Sequence, residues 1–327
     1  MGGRKEDRAG RDAPVETLNT LDSCSSRQTR LPLLPPFLPF LPFLPFLPFL
    51  PFLPFLPFLP FLPFLPLPPY NARMATAEAL ARWMRQQLGG STARGFVIGL
   101  SGGLDSAVVA RLAQLAAPGN VLAVILPCHG DPQDERDAML VAARFSMTTA
   151  RVDLARGYDA LIEEAQAAYY ALPEQMRAAM PADPLRGRVP LANIKPRVRM
   201  STLYYFANAL NYLVAGTGNR SELSIGYFTK YGDGGCDLLP IGQLEKSEVR
   251  ALARELNIPE AIIDRTPTAG LWIGQTDEEE MGFTYKDLER YLEEGPQAVS
   301  PALAMRIERL IRAGEHKRQL PPMPDPD

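Results

Sequence analysis

The sequence predicts an α/β protein: a doubly wound parallel sheet with helices on both faces. Short apolar runs of β type alternate with longer segments of helical periodicity, which implies parallel strands joined by right-handed crossovers. The first such strand runs into a glycine turn and then directly into a helix, the arrangement in which backbone N–H groups and the helix dipole favour an anion. From residue 74 onward the chain has the composition of one ordinary acidic domain. Residues 1 to 73 hold 7 of the 34 Lys+Arg and 5 of the 37 Asp+Glu, which leaves 27 against 32 in residues 74 to 327.

Taken in order, Met74 to Leu88 places Ala77, Leu80, Ala81, Met84 and Leu88 on one face of an opening helix. Phe96 to Leu100 is the first strand, Ser101-Gly102-Gly103 the turn, and Leu104 to Leu115 the next helix. Val121 to Leu126 repeats the strand signal, Asp134 to Phe145 is helical, Thr148 to Val152 is a third strand, and Leu154 to Tyr170 is helical again. Four prolines between Pro173 and Pro190 read as a loop. Arg197 to Tyr212 is a long helix dense in aromatics and leucine, which leads into the apolar Leu213-Val214-Ala215. A short helix, Arg220 to Ile225, precedes a glycine-rich stretch, and Leu244 to Leu256 is an amphipathic helix stopped by Asn257-Ile258-Pro259. Pro301 to Ala313 is a last helix that runs into His316-Lys317-Arg318. No second domain is expected in this part.

Upstream lies a different material. Residues 37 to 66 are ten uninterrupted copies of Phe-Leu-Pro, and 15 of the 33 prolines fall between Pro32 and Pro69. The run is apolar for longer than a membrane span needs, yet proline at every third position removes N–H donors and breaks any helix, so a spanning segment is excluded. Residues 1 to 73 are expected to be a disordered or spurious N-terminal extension upstream of Met74, with an exposed proline-rich ligand as the functional alternative.

Composition closes several function classes. The acidic balance argues against a protein that lives on nucleic acid, and no membrane role is expected. Cys24, Cys128 and Cys236 form no CxxC pair, which disfavours disulfides and structural zinc and suits a reducing cytoplasmic compartment. Two histidines, His129 and His316, are too few for a multi-histidine metal centre.

The strand-to-helix turn Gly99-Leu100-Ser101-Gly102-Gly103-Leu104-Asp105-Ser106 carries the chemistry. Its adjacent glycines let backbone wrap an oxyanion, its serines supply hydroxyl donors, and Asp105 makes sense beside phosphate if a divalent cation bridges them. It is not a Walker loop, because none of the six lysines follows a glycine. Gly216-Thr217-Gly218 after an apolar run is only a partial dinucleotide fingerprint, since Ser221 stands at its third position.

The turn resembles the loop of the N-type ATP pyrophosphatases, of adenine nucleotide alpha hydrolase-like fold, which cleave ATP between the α and β phosphates and activate a carboxylate or carbonyl as its adenylate. Within that superfamily the chain resembles the NAD synthetases over residues 76 to 324. The likeness runs through Asn193-Ile194-Lys195-Pro196-Arg197-Val198-Arg199-Met200, Gly216 to Glu222, Thr229 to Asp237, Pro267 to Trp272, Gly274 to Glu278 and His316-Lys317-Arg318.

That resemblance implies ATP binding at Gly99 to Ser106, Thr217, Lys246 and Thr268, and Mg²⁺ on Asp105 and Glu222. It further implies deamido-NAD binding by Arg197, Lys230, Asp237, His316 and Lys317. Asp233 is implied near the entry of ammonia, where a carboxylate could take the proton of ammonium. Asp233 and Lys246 are then the catalytic candidates, and the glycine-rich loop around them has the character of a lid. Pro127 to Glu135 is one residue longer than the family pattern, and Ile125 stands where the family often has arginine, so no ATP contact is assigned to this loop. Residues 1 to 73 are too short for an amidase domain. The ammonia-dependent form is therefore expected, with a separate glutaminase subunit left open. A two-fold homodimer through the helix from Arg197 is implied as well. The rival readings are another synthetase with the same loop and a nucleotide-binding module without catalysis.

Overall fold

The computed structural model describes residues 76–177, 184–272 and 274–324, so the reading of residues 1 to 73 lies outside it. The described residues open with α1 (Ala77–Gly89), capped where the Thr76 hydroxyl accepts from the Ala79 N–H. Then come β1 (Phe96–Gly99), α2 (Leu104–Ala116), β2 (Val121–Ile125), α3 (Pro132–Arg144), β3 (Thr149–Arg151) and α4 (Ala155–Tyr170). Asp131 caps α3 and Pro132 occupies its first turn, where a missing N–H costs nothing.

The stretch read as a loop instead holds α5 (Glu174–Arg177) and α6 (Pro184–Ala192). Pro173 and Pro184 open these helices rather than break them, while Pro190 sits inside α6. Next, α7 (Ile194–Leu210) begins three residues earlier than its pattern suggests, because Pro196 is tolerated in a first turn. It ends at Asn211 in the left-handed conformation, φ +56°. After β4 (Leu213–Val214) come α8 (Arg220–Ile225), α9 (Lys246–Glu255), α10 (Glu260–Ile263), α11 (Asp277–Met281), α12 (Tyr285–Glu294) and α13 (Pro301–Arg318). The basic triplet His316-Lys317-Arg318 is the last turn of α13, not a tail beyond it.

Among the described residues four strands, all parallel, lie in the order β3-β2-β1-β4. Alternate residues serve opposite faces, as a pleated strand requires. Phe96, Ile98, Val121, Ala123 and Ile125 join a core with α1, α2, α9 and α10. Val97, Leu122, Val124 and Val214 join another core with α7. Both faces are therefore helix-covered, and the sheet is doubly wound. A third core ties α8, α11, α12 and α13 together through Ile225, Met281, Leu288 and Ile307.

Strand order also locates the site. The chain moves outward from β1 to β3 and then returns to the far side of β1 as β4, so a crevice opens at the carboxyl ends of β1 and β4. Gly99 and Val214 end those strands, and the two loops that matter chemically leave from there.

Candidate active site

A cavity of about 660 Å³ occupies this crevice, lined by the phosphate-type loop, the segment after β4, the loop after β2, α9 and the segment 265–271. The loop at its floor is tied to itself. The Ser106 hydroxyl donates to the Gly103 carbonyl at 2.9 Å and accepts from the Ser101 N–H at 3.2 Å, and the two serine hydroxyls lie 3.0 Å apart. Gly102 has φ +83°, and a Cβ there would come within 2.3 Å of the Asp134 carbonyl oxygen. A left-handed backbone and the approach of α3 each require glycine at this position.

Arg265 buttresses that contact from the other side. It pairs with Asp134, donates to Asp137 Oδ2 at 2.8 Å and reaches the Gly102 carbonyl at 3.5 Å. No sequence pattern singled it out.

The chemical centre is Lys246, the first residue of α9, whose side chain is 4% exposed. Its Nζ donates to Asp105 Oδ2 at 2.5 Å and to Glu222 Oε1 at 3.3 Å. Three elements bring these groups together. Asp105 lies in the first turn of α2 beside the glycine turn. Glu222 is fixed by a capping box at the start of α8, where Asn219 Oδ1 accepts from the Glu222 N–H at 3.0 Å and Glu222 Oε2 accepts from the Asn219 N–H. Glu245 makes the corresponding capping box at the start of α9.

Electrostatics follow from burial. Burial first, with Asp105 and Asp277 adding to it and Lys246 opposing, raises the Glu222 carboxyl to about 7. Burial also acts to lower Lys246, but Asp105 and Glu222 outweigh it, so the ammonium is held above its ordinary range. Asp277 and Tyr285 were not assigned from sequence and complete the cluster. The Tyr285 hydroxyl lies 2.9 Å from Asp277 Oδ2 and 3.3 Å from Glu222 Oε1, and Lys246 Nζ sits 5.1 Å from the centre of its ring. Tyr227 Oη meets Asp277 Oδ1 at 3.2 Å and Glu280 Oε2 at 2.8 Å.

The donor set fits Mg²⁺ in one specific sense. Among the described residues no group of three or more His, Cys, Asp and Glu could hold a metal by itself. Two hard carboxylates, Asp105 and Glu222, face one cavity, and Mg²⁺ commonly takes one or two carboxylates and completes its shell with phosphate oxygens and water.

The remaining expected residues separate into two groups. Gly99, Leu100, Ser101, Gly103, Leu104, Asp105, Ser106, Thr217, Glu222, Asp233, Lys246, Thr268 and Lys317 all line the cavity. Asp233 Oδ1 accepts from the Thr229 N–H at 2.8 Å, and burial raises its carboxyl despite that bond. Lys317 donates to the carbonyls of Gly226 and Phe228, each at 2.7 Å. Arg197, Lys230, Asp237 and His316 do not line it. Lys230 donates to the His316 carbonyl, and Arg197 reaches the Lys230 carbonyl at 3.4 Å. Asp237 spends both oxygens inside the fold, on the Tyr204 hydroxyl at 2.9 Å and the Val214 N–H at 2.7 Å.

The loop after β2 does line the cavity and is pinned from behind. Lys195, buried near the start of α7, donates to the His129 carbonyl at 3.1 Å and the Leu271 carbonyl at 2.6 Å, so one ammonium gathers two cavity loops. His129 itself meets Asp159 at 2.7 Å. Gly216 is forced by packing, since a Cβ there would lie 2.4 Å from Cys236 Sγ.

Comparison with known proteins gives a consistent result. Residues 76–321 match the NAD synthase family. The chain is 49% identical over 247 residues to the NH(3)-dependent NAD(+) synthetase of Carboxydothermus hydrogenoformans, covering 76% of this chain and 96% of that protein. It is 42% identical to the protein of the same name from Syntrophomonas wolfei, covering 76% and 95%. Among solved structures it resembles the NMN synthetase from Francisella tularensis, with 36% identity, a TM-score of 0.68 and coverage of 76% and 97%. It also resembles the NH3-dependent NAD synthetase from Campylobacter jejuni, solved in complex with nitrate, with 30% identity, a TM-score of 0.60 and the same coverage.

Proposed function

The chain belongs to the NAD synthase family, and we propose that the cavity at the β1/β4 crevice is where it carries out ammonia-dependent NAD synthesis. It is a ligase that forms an amide bond at the expense of ATP, the last step in making NAD. The observation that carries the assignment of the site is the meeting of Asp105, Glu222 and Lys246 beside the turn at residues 99 to 106.

In this reading a nicotinic acid carboxylate oxygen of deamido-NAD attacks the α-phosphorus of ATP, the bond to the β-phosphate oxygen breaks, and pyrophosphate leaves. Ammonia then adds to the acyl carbon, AMP departs, and the amide remains. The loop from Gly99 to Ser106 holds the phosphates, with Thr217 and Thr268 as further ATP contacts. Lys246 keeps Asp105 and Glu222 side by side and places positive charge near the phosphates. Asp105 and Glu222 would hold Mg²⁺, which supplies charge neutralisation on the departing pyrophosphate. Asp233 is suited to take a proton from ammonium, since only neutral ammonia is nucleophilic. Arg197, Lys230, Asp237, His316 and Lys317 belong to the deamido-NAD side, Lys317 at the cavity and the others beside it.

A two-fold homodimer through α7 is part of the proposal, supported by Tyr205, which is 68% exposed on that helix. Cytoplasmic residence rests on the cysteine usage. Among the described residues no helix is long and apolar enough to cross a membrane. Residues 74 to 327 are proposed as the NAD synthetase domain.

The decisive experiment supplies the purified chain with ATP, Mg²⁺ and deamido-NAD and monitors pyrophosphate and NAD. Ammonium should give both products in equal amounts, and glutamine should not replace it. Absence of pyrophosphate release dependent on deamido-NAD would overturn the reading. One observation favours a second acid substrate. Four of the five residues expected at deamido-NAD lie outside the cavity lining, and the Francisella structure is named for the mononucleotide NMN. Nicotinic acid mononucleotide in the same assay separates the two by their relative kcat/KM.

A further inference from the structure

The reaction proposed above brings a triphosphate into the cavity and expels pyrophosphate from it, so the cations of the lining have to be counted against that charge. Six line it. Arg151 is held by Glu135 and Asp153. Arg265 is held by Asp134 and Asp137, and Lys246 by Asp105 and Glu222. Lys317 spends its ammonium on the carbonyls of Gly226 and Phe228, and Arg199 gives its Nε–H to the Leu126 carbonyl at 3.2 Å. Arg250, half-buried on α9, has no hydrogen-bond or ion-pair partner among the described residues.

Its place in the helix gives that guanidinium a direction. Arg250 comes four residues after Lys246 in α9, so the two share one helical face about 6 Å apart along the axis. Lys246 marks where Asp105 and Glu222 meet the phosphate-type loop. One turn further along the same face is a reach comparable to that of a triphosphate chain. A planar fork of N–H donors suits two phosphates better than a single ammonium does.

We propose that Arg250 binds the terminal phosphates of ATP and retains the pyrophosphate after the α–β bond breaks. Lys246 is thereby left to organise the two carboxylates, and Arg250 supplies the free positive charge at the far end of the polyphosphate. This rests on the ATP-cleaving role of the cavity and adds a binding residue to it.

The test uses the full chain and titrates inorganic pyrophosphate, with Mg²⁺ present, by calorimetry, and then measures steady-state kinetics. R250A should lose at least tenfold in pyrophosphate affinity and raise KM for ATP by a similar factor, while KM for deamido-NAD moves less than twofold and thermal midpoint stays put. R250K should recover part of the loss. R250Q, which keeps the side chain out to Cδ but removes its charge, carries the same comparison if R250A is poorly folded. Pyrophosphate affinity in R250A and R250Q equal to the wild type would overturn the proposal, as would an equal rise in KM for both substrates. Wild-type protein that makes no NAD yet loses pyrophosphate affinity in R250A would sink the functional reading and leave Arg250 in place.

Discussion

Gly314→Ala is a one-carbon change at a residue outside the cavity lining, and it should damage both stability and catalysis. Gly314 lies on α13 against Gly226, the left-handed cap of α8, and an added Cβ would stand 2.8 Å from Gly226 Cα and 3.0 Å from the Ile225 carbonyl oxygen. Both neighbours are backbone and cannot rotate away. Restoring ordinary contact means that α13 withdraws by about 1 Å, and such overpacking costs about 1–3 kcal/mol. Withdrawal also stretches the bonds from Lys317 to Gly226 and Phe228 and from Arg318 to Leu223 and Ser224. Weakening one or two of these adds about 1–2 kcal/mol, and the better helix propensity of alanine returns about 1 kcal/mol.

The net expectation is a loss of about 2–3 kcal/mol, read as a lower urea midpoint at unchanged slope. Because α8 carries Glu222 and α13 carries Lys317, a displacement of about 1 Å at the site should also cut kcat/KM by up to about 100-fold. Gly157→Ala in α4 is the matched control. It has open space around the position and should gain about 0.5–1 kcal/mol with unchanged kinetics. A Gly314→Ala protein as stable and active as the wild type would show that the glycine contact does not set the position of α8, and the reasoning would fail.

Asp105→Asn and Glu222→Gln should each slow deamido-NAD-dependent pyrophosphate release by at least about 100-fold while leaving the fold intact, because a carboxylate ligand is lost where leaving-group charge develops; near-normal release in either would defeat the metal assignment. Glu245 is raised from 4.5 to about 7, first by burial and then by Glu293, with Arg220 opposing. Its folded form therefore holds a proton more tightly than its unfolded form, so wild-type stability should fall as pH rises through that window and level off above it. The stability of Glu245→Gln relative to wild type should rise over the same window, and a difference that stays flat from pH 4 to pH 8 in urea titrations would refute this. Tyr205→Glu, at an exposed position of α7, should yield monomers in sedimentation; wild-type protein that sediments as a monomer at micromolar concentration with full activity would sink the dimer.

The features legible in the sequence were local ones. The strands β1 and β2 and the helix α2 announce themselves because each contains its own hydrophobic period, and the turn at residues 99 to 106 announces its chemistry because its glycines and hydroxyls are contiguous. Helix α8 was legible to the residue, since Asn219, Glu222 and Gly226 write both of its caps into a few positions. Most of the elements that escaped have a short or ambiguous signal; α12 is the exception, since Tyr285, Leu288 and Leu292 give it a readable helical period that went unassigned. Helices α10 and α11 are four and five residues long, too few for a period to show. Pro173 and Pro184 read as breakers when they are openers, because a proline stops a helix on its N-terminal side yet fits the first turn of one on its C-terminal side.

The site divides along the same line. Asp105 was suggested by its own turn, but Glu222 and Lys246 carry no local sign of function and were reached only through resemblance. Lys246 meets Asp105 across 141 residues and Glu222 across 24. Asp277 and Tyr285 join from a further core, and Arg265 clamps the phosphate-type loop across 163 residues. The segment containing Asp277 does carry a sign, for Thr276 caps α11 and puts four acidic residues in its first turn. That pattern alone means a charged helix start, and only the direction in which α8 and α12 fold back onto it makes one of those four carboxylates part of the centre. The sequence pattern thus states which groups are available, while the crossover from β3 back to the far side of β1 decides which of them meet. A change that leaves every motif residue in place but shifts α8 against α13 should therefore disable the centre as surely as a change to Asp105, which is why the glycine pair at 226 and 314 is the sharper test of how this site is built.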